Sequence, residues 1–174
     1  MVSKSTLYRQ PSIVFVSIGS THFHFSRVYK SLSSCENSEF MIAKQSYKNN
    51  LSDEALIYAI KGAQRVIIHA APSTLYIVSQ YAKYMPLIVP RRARLGEAVG
   101  DHQLYYAEYV RNKLPKKYQK YVLLDIDIAV QIADYLARKN EANILSRYLF
   151  PKEERELFKR SFNDLLINQG LIES

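Results

Sequence analysis

Tryptophan is absent and cysteine occurs once, as Cys35, so no intramolecular disulfide can form and a reducing compartment suits the chain. No run approaches the roughly 20 uninterrupted apolar residues of a membrane span. The first ten residues, Met1 to Gln10, are polar and lack the apolar centre of a signal peptide, which points to a cytoplasmic protein. The three closely spaced glycines of a dinucleotide fingerprint are missing, which argues against a nicotinamide-dependent oxidoreductase. His22, His24 and His102 have no cysteine or carboxylate at metal-ligand spacing, so no structural metal is expected. No serine–histidine–acid set suggests a hydrolase, and there is neither an internal repeat nor a low-complexity segment.

What is present describes an ordinary globular chain. Hydrophobic residues make up 48% and charged residues 23%, and 174 residues suffice for one domain with a sizeable core. The formal charge of +8 points to an anionic partner (a nucleotide, a nucleic acid or an acidic membrane surface) or else to cations that simply solubilise surface helices. Fourteen tyrosines, each apolar in body and polar at the tip, make a docking surface plausible.

Strand and helix patterns alternate along the chain. Ser12 to Ile18 is Val/Ile-rich, as a strand buried on both faces should be, and Gly19-Ser20-Thr21 ends it. Phe25, Val28, Tyr29 and Leu32 then recur at helical spacing. Glu39 to Gln45 is a second strand. Ser52 before Asp53 and Glu54 marks a helix start, with Leu56, Ile57 and Ile60 on its buried face and Gly62 at its end. Arg65 to His69 and Pro86 to Pro90 are the third and fourth strands, with a helix from Leu75 to Tyr84 between them that Ser73 or Thr74 can cap. Asp101 can cap a helix running to about Leu114, and Tyr121 to Leu124 reads as a fifth strand. Asp125 or Asp127 can cap a last helix carried by Ile128, Ile132, Tyr135 and Leu136. This alternation predicts an α/β fold: a Rossmann-like open parallel sheet with helices on both faces, spanning residues 1–139. Residues 140–174 form a helical extension, split near Pro151, whose stripe of Leu157, Phe158, Phe162, Leu165 and Leu166 packs on the domain or on a partner.

The stretch from Val66 to His102 carries most of the chemistry. An apolar run ends in the small-residue turn Ala70-Ala71-Pro72-Ser73, and a second ends in a loop bearing Arg91, Arg92 and Arg94. In an open parallel sheet both ends lie on the ligand-binding edge. The turn Gly19 to Thr21 before a helix is a generic phosphate cradle, as is any tight strand-to-helix turn. A lone histidine such as His69 at a strand end is more often buried and hydrogen-bonded than catalytic. The arginines are either a solvated loop or anion contacts, and Asp101-His102-Gln103 is either a helix cap or a holder of sugar hydroxyls.

Three blocks resemble a known family. Val14-Phe15-Val16-Ser17-Ile18-Gly19-Ser20-Thr21 followed by Phe25-Ser26-Arg27 is similar to its apolar strand, Gly-Thr and Phe-Asp-Arg. His69-Ala70-Ala71-Pro72-Ser73-Thr74 resembles its His-Gly-Gly-Pro loop. Pro86-Leu87-Ile88-Val89-Pro90-Arg91, Gly96-Glu97 and Asp101-His102-Gln103 resemble its Pro-Arg…Gly-Glu…Asp-His-Gln stretch. The family is that of two-component GT-B glycosyltransferases whose donor domain is a separate small subunit (the glycosyltransferase family 28 C-terminal domain). The spacing after Pro90 is closest to the bacterial exopolysaccharide and capsule branch, and the resemblance covers residues 12–137.

The resemblance implies half of a GT-B fold and an inverting transfer from a UDP-sugar to a lipid-linked acceptor. It also implies a membrane-anchored partner subunit, which would hold the chain peripherally on the inner face of a membrane. By position, Gly19, Ser20 and Thr21 would line the donor cleft. His69, Ala71 and Ser73 would approach the diphosphate with Thr74 behind them, Arg91 would flank the nucleotide, and His102 and Gln103 would face the sugar. No catalytic base is placed by the resemblance: His22 is the candidate in this chain, and the base otherwise lies in the partner. No cofactor beyond the UDP-sugar substrate is implied. Ala70 and Ala71 replace the loop glycines, Ser26 replaces an aspartate, and Ser79 and Gln80 stand where many relatives carry a ribose-binding glutamate. The alternative is therefore a non-catalytic scaffold or activator that keeps the half fold. A nucleic-acid-binding domain has only charge and tyrosines in its favour and no recognised motif.

Overall fold

Parallel pairing of apolar runs builds the sheet. The structure, a computed structural model, describes residues 13–17, 25–33, 40–44 and 53–151. In chain order the elements are β1 (Ile13–Ser17), α1 (Ser26–Ser33), β2 (Phe40–Lys44), α2 (Asp53–Gly62), β3 (Arg65–His69), α3 (Pro72–Tyr81), β4 (Leu87–Val89), α4 (His102–Lys113), α5 (Ala129–Ala137) and α6 (Leu145–Leu149). The fold is mixed α/β, and its four strands lie in the order β2-β1-β3-β4, all parallel. Ser17 pairs with Lys44, Val16 with Ile68 and His69 with Val89, so all four strands end along one edge. Ile67, Ile68, Leu87, Ile88 and Val89 have no exposed surface, which explains why β3 and β4 are uninterrupted apolar runs.

The helices supply the rest of the core at helical spacing. Phe25, Val28 and Leu32 are buried on the α1 side, Leu56 and Ile60 on α2, and Ile128, Ile132 and Tyr135 at α5. Ile57 and Leu136, expected on buried faces, are half-buried. α1 packs against α5 and α2 against α3.

The expected fifth strand does not form. Tyr121 closes a 3-10 helix, Lys116–Tyr121, and only Val122 bridges Ile88, with the Leu123 N–H donating to the Ile88 carbonyl at 2.9 Å. Tyr121, Val122 and Leu123 are all buried, so the apolar run is explained by burial alone. The 3-10 turn before it and the Asp125–Asp127 turn after it leave room for one ladder pair.

The chain after residue 139 is tied to the rest along the end of α3. The Met85 N–H donates to the Glu141 carbonyl at 2.9 Å, and Tyr84 bridges Ala142. Asn143 Nδ2 donates to the Val78 and Ala82 carbonyls at 3.0 and 2.9 Å, satisfying the end of α3 that no glycine caps. The stripe from Leu157 to Leu166 and the second helical stretch beyond Pro151 lie outside the described residues.

Tyr135 joins α5 to the sheet. Its hydroxyl accepts from the Val66 N–H at 3.2 Å and donates toward the Met85 and Val66 carbonyls at 3.0 and 3.2 Å. Burial pushes its pKa from 10.0 up to about 12, and burial with the Glu141 carboxylate does the same at Tyr121. Their neutral hydroxyls therefore contribute stability that is complete below pH 10 and lost as pH rises toward about 12. Tyr135→Phe should cost about 1–3 kcal/mol at neutral pH, the cost of an unsatisfied buried carbonyl, measured by urea unfolding. The same variant should show a smaller alkaline loss than the native chain over that window.

Candidate functional site

At the carboxyl edge of the sheet, β3 turns into α3 within three residues. Ala71 is the N-cap, with φ −100° and ψ 138°, and Pro72 is the first helical residue. Proline's fixed φ suits that position, which puts the cap at Ala71, two places before Ser73 and three before Thr74, the expected caps. Ala71 is in extended backbone, so this turn does not require the glycine found in the resembling loop. The helix has no side-chain cap and no acid in its first turn, and its first internal bond is Leu75 N–H to the Ala71 carbonyl, 2.9 Å. The amides of Ser73 and Thr74 therefore precede the helical ladder, and they sit at its positive end.

His69 is 2% exposed and Thr74 1%, and His69 Nε2 lies 3.5 Å from Thr74 Oγ1. Both stand beneath the turn, whereas Ser73 is exposed on it. On α3, Ser79 Oγ donates to the Tyr76 carbonyl at 2.7 Å and receives Gln80 Nε2 at 3.0 Å. Ser79 and Gln80 thus meet one another.

The loop after β4 closes on itself. Arg92 N–H donates to Glu97 Oε2 at 3.0 Å, and Glu97 N–H donates back to the Arg92 carbonyl at 3.1 Å. Gly96, at φ 67°, makes the reversal between them in a conformation that a side chain would strain. Glu97 is 1% exposed, and the single Arg27 Nε–H donates to both oxygens of its carboxylate, at 3.0 and 3.1 Å. The Arg27 guanidinium also donates to the Pro90 carbonyl and, at 3.1 Å, to that of Asp125. Neither Arg27 nor Glu97 was a candidate site residue by sequence. The signal was their presence in two separate blocks of the resemblance, which this ion pair joins.

Two further side chains brace the same loop. Arg91 N–H donates to Gln103 Oε1 at 3.2 Å, and Ala93 N–H donates to Asp101 Oδ1 at 2.9 Å. Asp101 is positioned as the N-cap of α4 but its side chain makes no capping bond, because it is spent on Ala93. Gln103 is buried with its oxygen on the loop, and His102 beside it is exposed. The Arg91 guanidinium is 5.8 Å from the Phe25 ring centroid, and burial lowers its pKa against the opposing pull of Glu97 and Tyr29.

Arg91 and Arg92 are each only 6% exposed, so two of the three loop arginines are packed inside and Arg94 alone is open to solvent. Burial, reinforced by Arg27 and Arg94, lowers the Arg92 pKa. Four guanidiniums thus gather around Glu97 and Asp101, an excess of positive charge at one edge.

The structure therefore brings His69, Ala71, Ser73 and Thr74 to one strand end and Arg91 and Gln103 to the next, with His102 beginning α4 beside them. Gly19, Ser20, Thr21 and His22 lie outside the described residues. Among the described residues no group of three or more His, Cys, Asp and Glu could hold a metal ion. No protein-family model, curated protein or solved structure matches the chain.

Removing Arg27 would leave the buried Glu97 carboxylate without the cation that is hydrogen-bonded to it. Arg27→Ala should destabilise the chain by about 3–5 kcal/mol in urea unfolding, and Arg27→Met with Glu97→Leu by less than Arg27→Ala alone.

Proposed function

We propose that this chain is the donor-binding subunit of an inverting, UDP-sugar-dependent glycosyltransferase. It would transfer sugar to a lipid-linked acceptor with a membrane-anchored partner, in polysaccharide or glycolipid assembly. One observation carries the reading: an uncapped helix N-terminus stands at the point where the strand order reverses. From β1 the chain proceeds to β2 on one side, and from β3 to β4 on the other. In open α/β sheets ligands bind at such a switch point, outside the carboxyl ends of the strands. Right-handed crossovers would place α1 and α2 on opposite faces, as in a Rossmann-like half of a GT-B enzyme. The packing of α1 on α5 and of α2 on α3 supports that arrangement.

The amides of Ser73 and Thr74, the Ser73 hydroxyl and the cationic loop after β4 supply what a diphosphate needs as its charge grows on departure. His102 at the start of α4 is open to a sugar. Arg91 acts from behind, as a buried charge that biases the rim toward anions. The acceptor half and its base would come from the partner, which would also hold the chain at the inner face of a membrane. Among the described residues no helix is long and apolar enough to cross one.

A second reading, a non-catalytic subunit with the same fold, is favoured by the use of side chains at the rim. Glu97, Asp101 and Gln103 all serve loop backbone.

UDP binding separates the two. Calorimetric titration of the chain with UDP should show binding, and Ser73→Asp should weaken it by about ten-fold or more. An acid in the first turn is favourable to the helix itself, by about 0.3–1 kcal/mol, so the loss cannot be charged to unfolding. Transfer should require the membrane-anchored subunit. Absence of UDP binding by the native chain would favour the scaffold, and transfer at full rate by this chain alone would overturn the half-enzyme.

A further inference from the structure

Between Tyr109 and Leu124 the chain carries five cations, Arg111, Lys113, Lys116, Lys117 and Lys120, and no acid. Lys120 is paired with Glu141 at 2.5 Å, while the other four are exposed. Favourable interaction with a helix C-terminus accounts for Arg111 and Lys113, which lie in the last turn of α4. It does not account for Lys116 and Lys117, which lie beyond the helix. Nor does it account for the aromatic residues before them.

Tyr105 is 66% exposed and Tyr109 50%, four residues apart on one face of α4, and Lys113 follows at the same interval. Lys113 Nζ stands 5.5 Å from the Tyr109 ring centroid and Lys117 Nζ 4.6 Å from that of Tyr118. Ahead of the helix, Val99 is 87% exposed. The single acid of α4, Glu108, acts electrostatically on Arg92.

We infer that α4 and the Lys116–Tyr121 segment form a face that docks directly on a bilayer surface carrying anionic lipid. This goes beyond the donor-binding reading and does not rest on it. Exposed tyrosines beside lysines suit the headgroup layer, where the ring is half-sheltered and the hydroxyl stays wet. Each surface cation adds Coulombic attraction to acidic headgroups. A nucleic acid would use the same charge but would stack its bases on the rings. Here ammonium groups stand over the rings of Tyr109 and Tyr118, and these rings also stack on Tyr106 and Tyr121, which leaves ring edges and hydroxyls as the better contacts. A twelve-residue helix is about 18 Å long, so α4 lying flat would hold its His102 end, and the edge of the sheet beside it, at the level of the membrane.

The test is co-sedimentation of the full chain with phosphatidylcholine vesicles, with and without one-third phosphatidylglycerol, and with polyuridylate as a separate probe. Binding should appear with the anionic vesicles only. Lys113→Gln/Lys116→Gln/Lys117→Gln should weaken it by roughly 100-fold, at about five-fold per cation. Tyr105→Ser/Tyr109→Ser should also weaken it with all cations in place, and Lys30→Gln on α1 should leave it unchanged. Circular dichroism of each variant keeps folding separate from binding. No sedimentation with anionic vesicles would overturn the inference. So would tighter binding to polyuridylate than to vesicles, or a loss equally large in Lys30→Gln.

Discussion

The guanidinium of Arg27 has to be neutralised away from water, and the edge of the sheet is arranged around that requirement. It is anchored at the start of α1 and reaches the carbonyl of Pro90, the carboxylate of Glu97 and the carbonyl of Asp125. Glu97 can meet it only because the loop after β4 reverses at Gly96, and the loop keeps that path because Glu97 also receives the Arg92 amide. A charge on the helix that follows β1 thus fixes the backbone that follows β4, two strands away. Buried pairs of this kind contribute little net stability over apolar residues, but breaking one is costly. Here the pair specifies where the β4 loop runs relative to α1.

This explains which parts of the molecule could be read from the sequence. Strands β1 and β3 and the helices α1, α2 and α5 follow from apolar spacing and local start and stop residues, and they lie within a residue or two of the expected bounds. Tyr121 to Leu124 has the composition of a strand and the burial of one, yet pairs only through Val122, because pairing depends on the turns at both ends. The cap expected at Ser73 or Thr74 lies at Ala71, and Asp101 holds its cap position without making a capping bond, for separate reasons. Proline at position 72 moved the first, and the amide of Ala93 captured the second. Each competitor is a short-range feature whose strength relative to a cap depends on the fold.

The candidate site was legible as a place more than as a set of contacts. Strand ends, a small-residue turn and a basic loop predict an anion-attracting edge, and among the described residues His69 to Thr74, Arg91 and Gln103 lie at neighbouring strand ends. The roles of individual side chains were harder to read. Gln103 supports Arg91 from below, His69 supports Thr74, and two of three arginines are inside. Arg27 and Glu97 are 70 residues apart, and no local pattern pairs them.

The single bridge between Ile88 and Val122 has one more effect. A strand with free amides and carbonyls along its outer side is a template on which another chain can add itself. On β4 that side is occupied midway by Val122 and by the Leu123 amide, and the buried Tyr121 stands next to them. A segment too irregular to count as a strand therefore acts as a stopper, and it keeps the most apolar margin of the sheet from recruiting a neighbour.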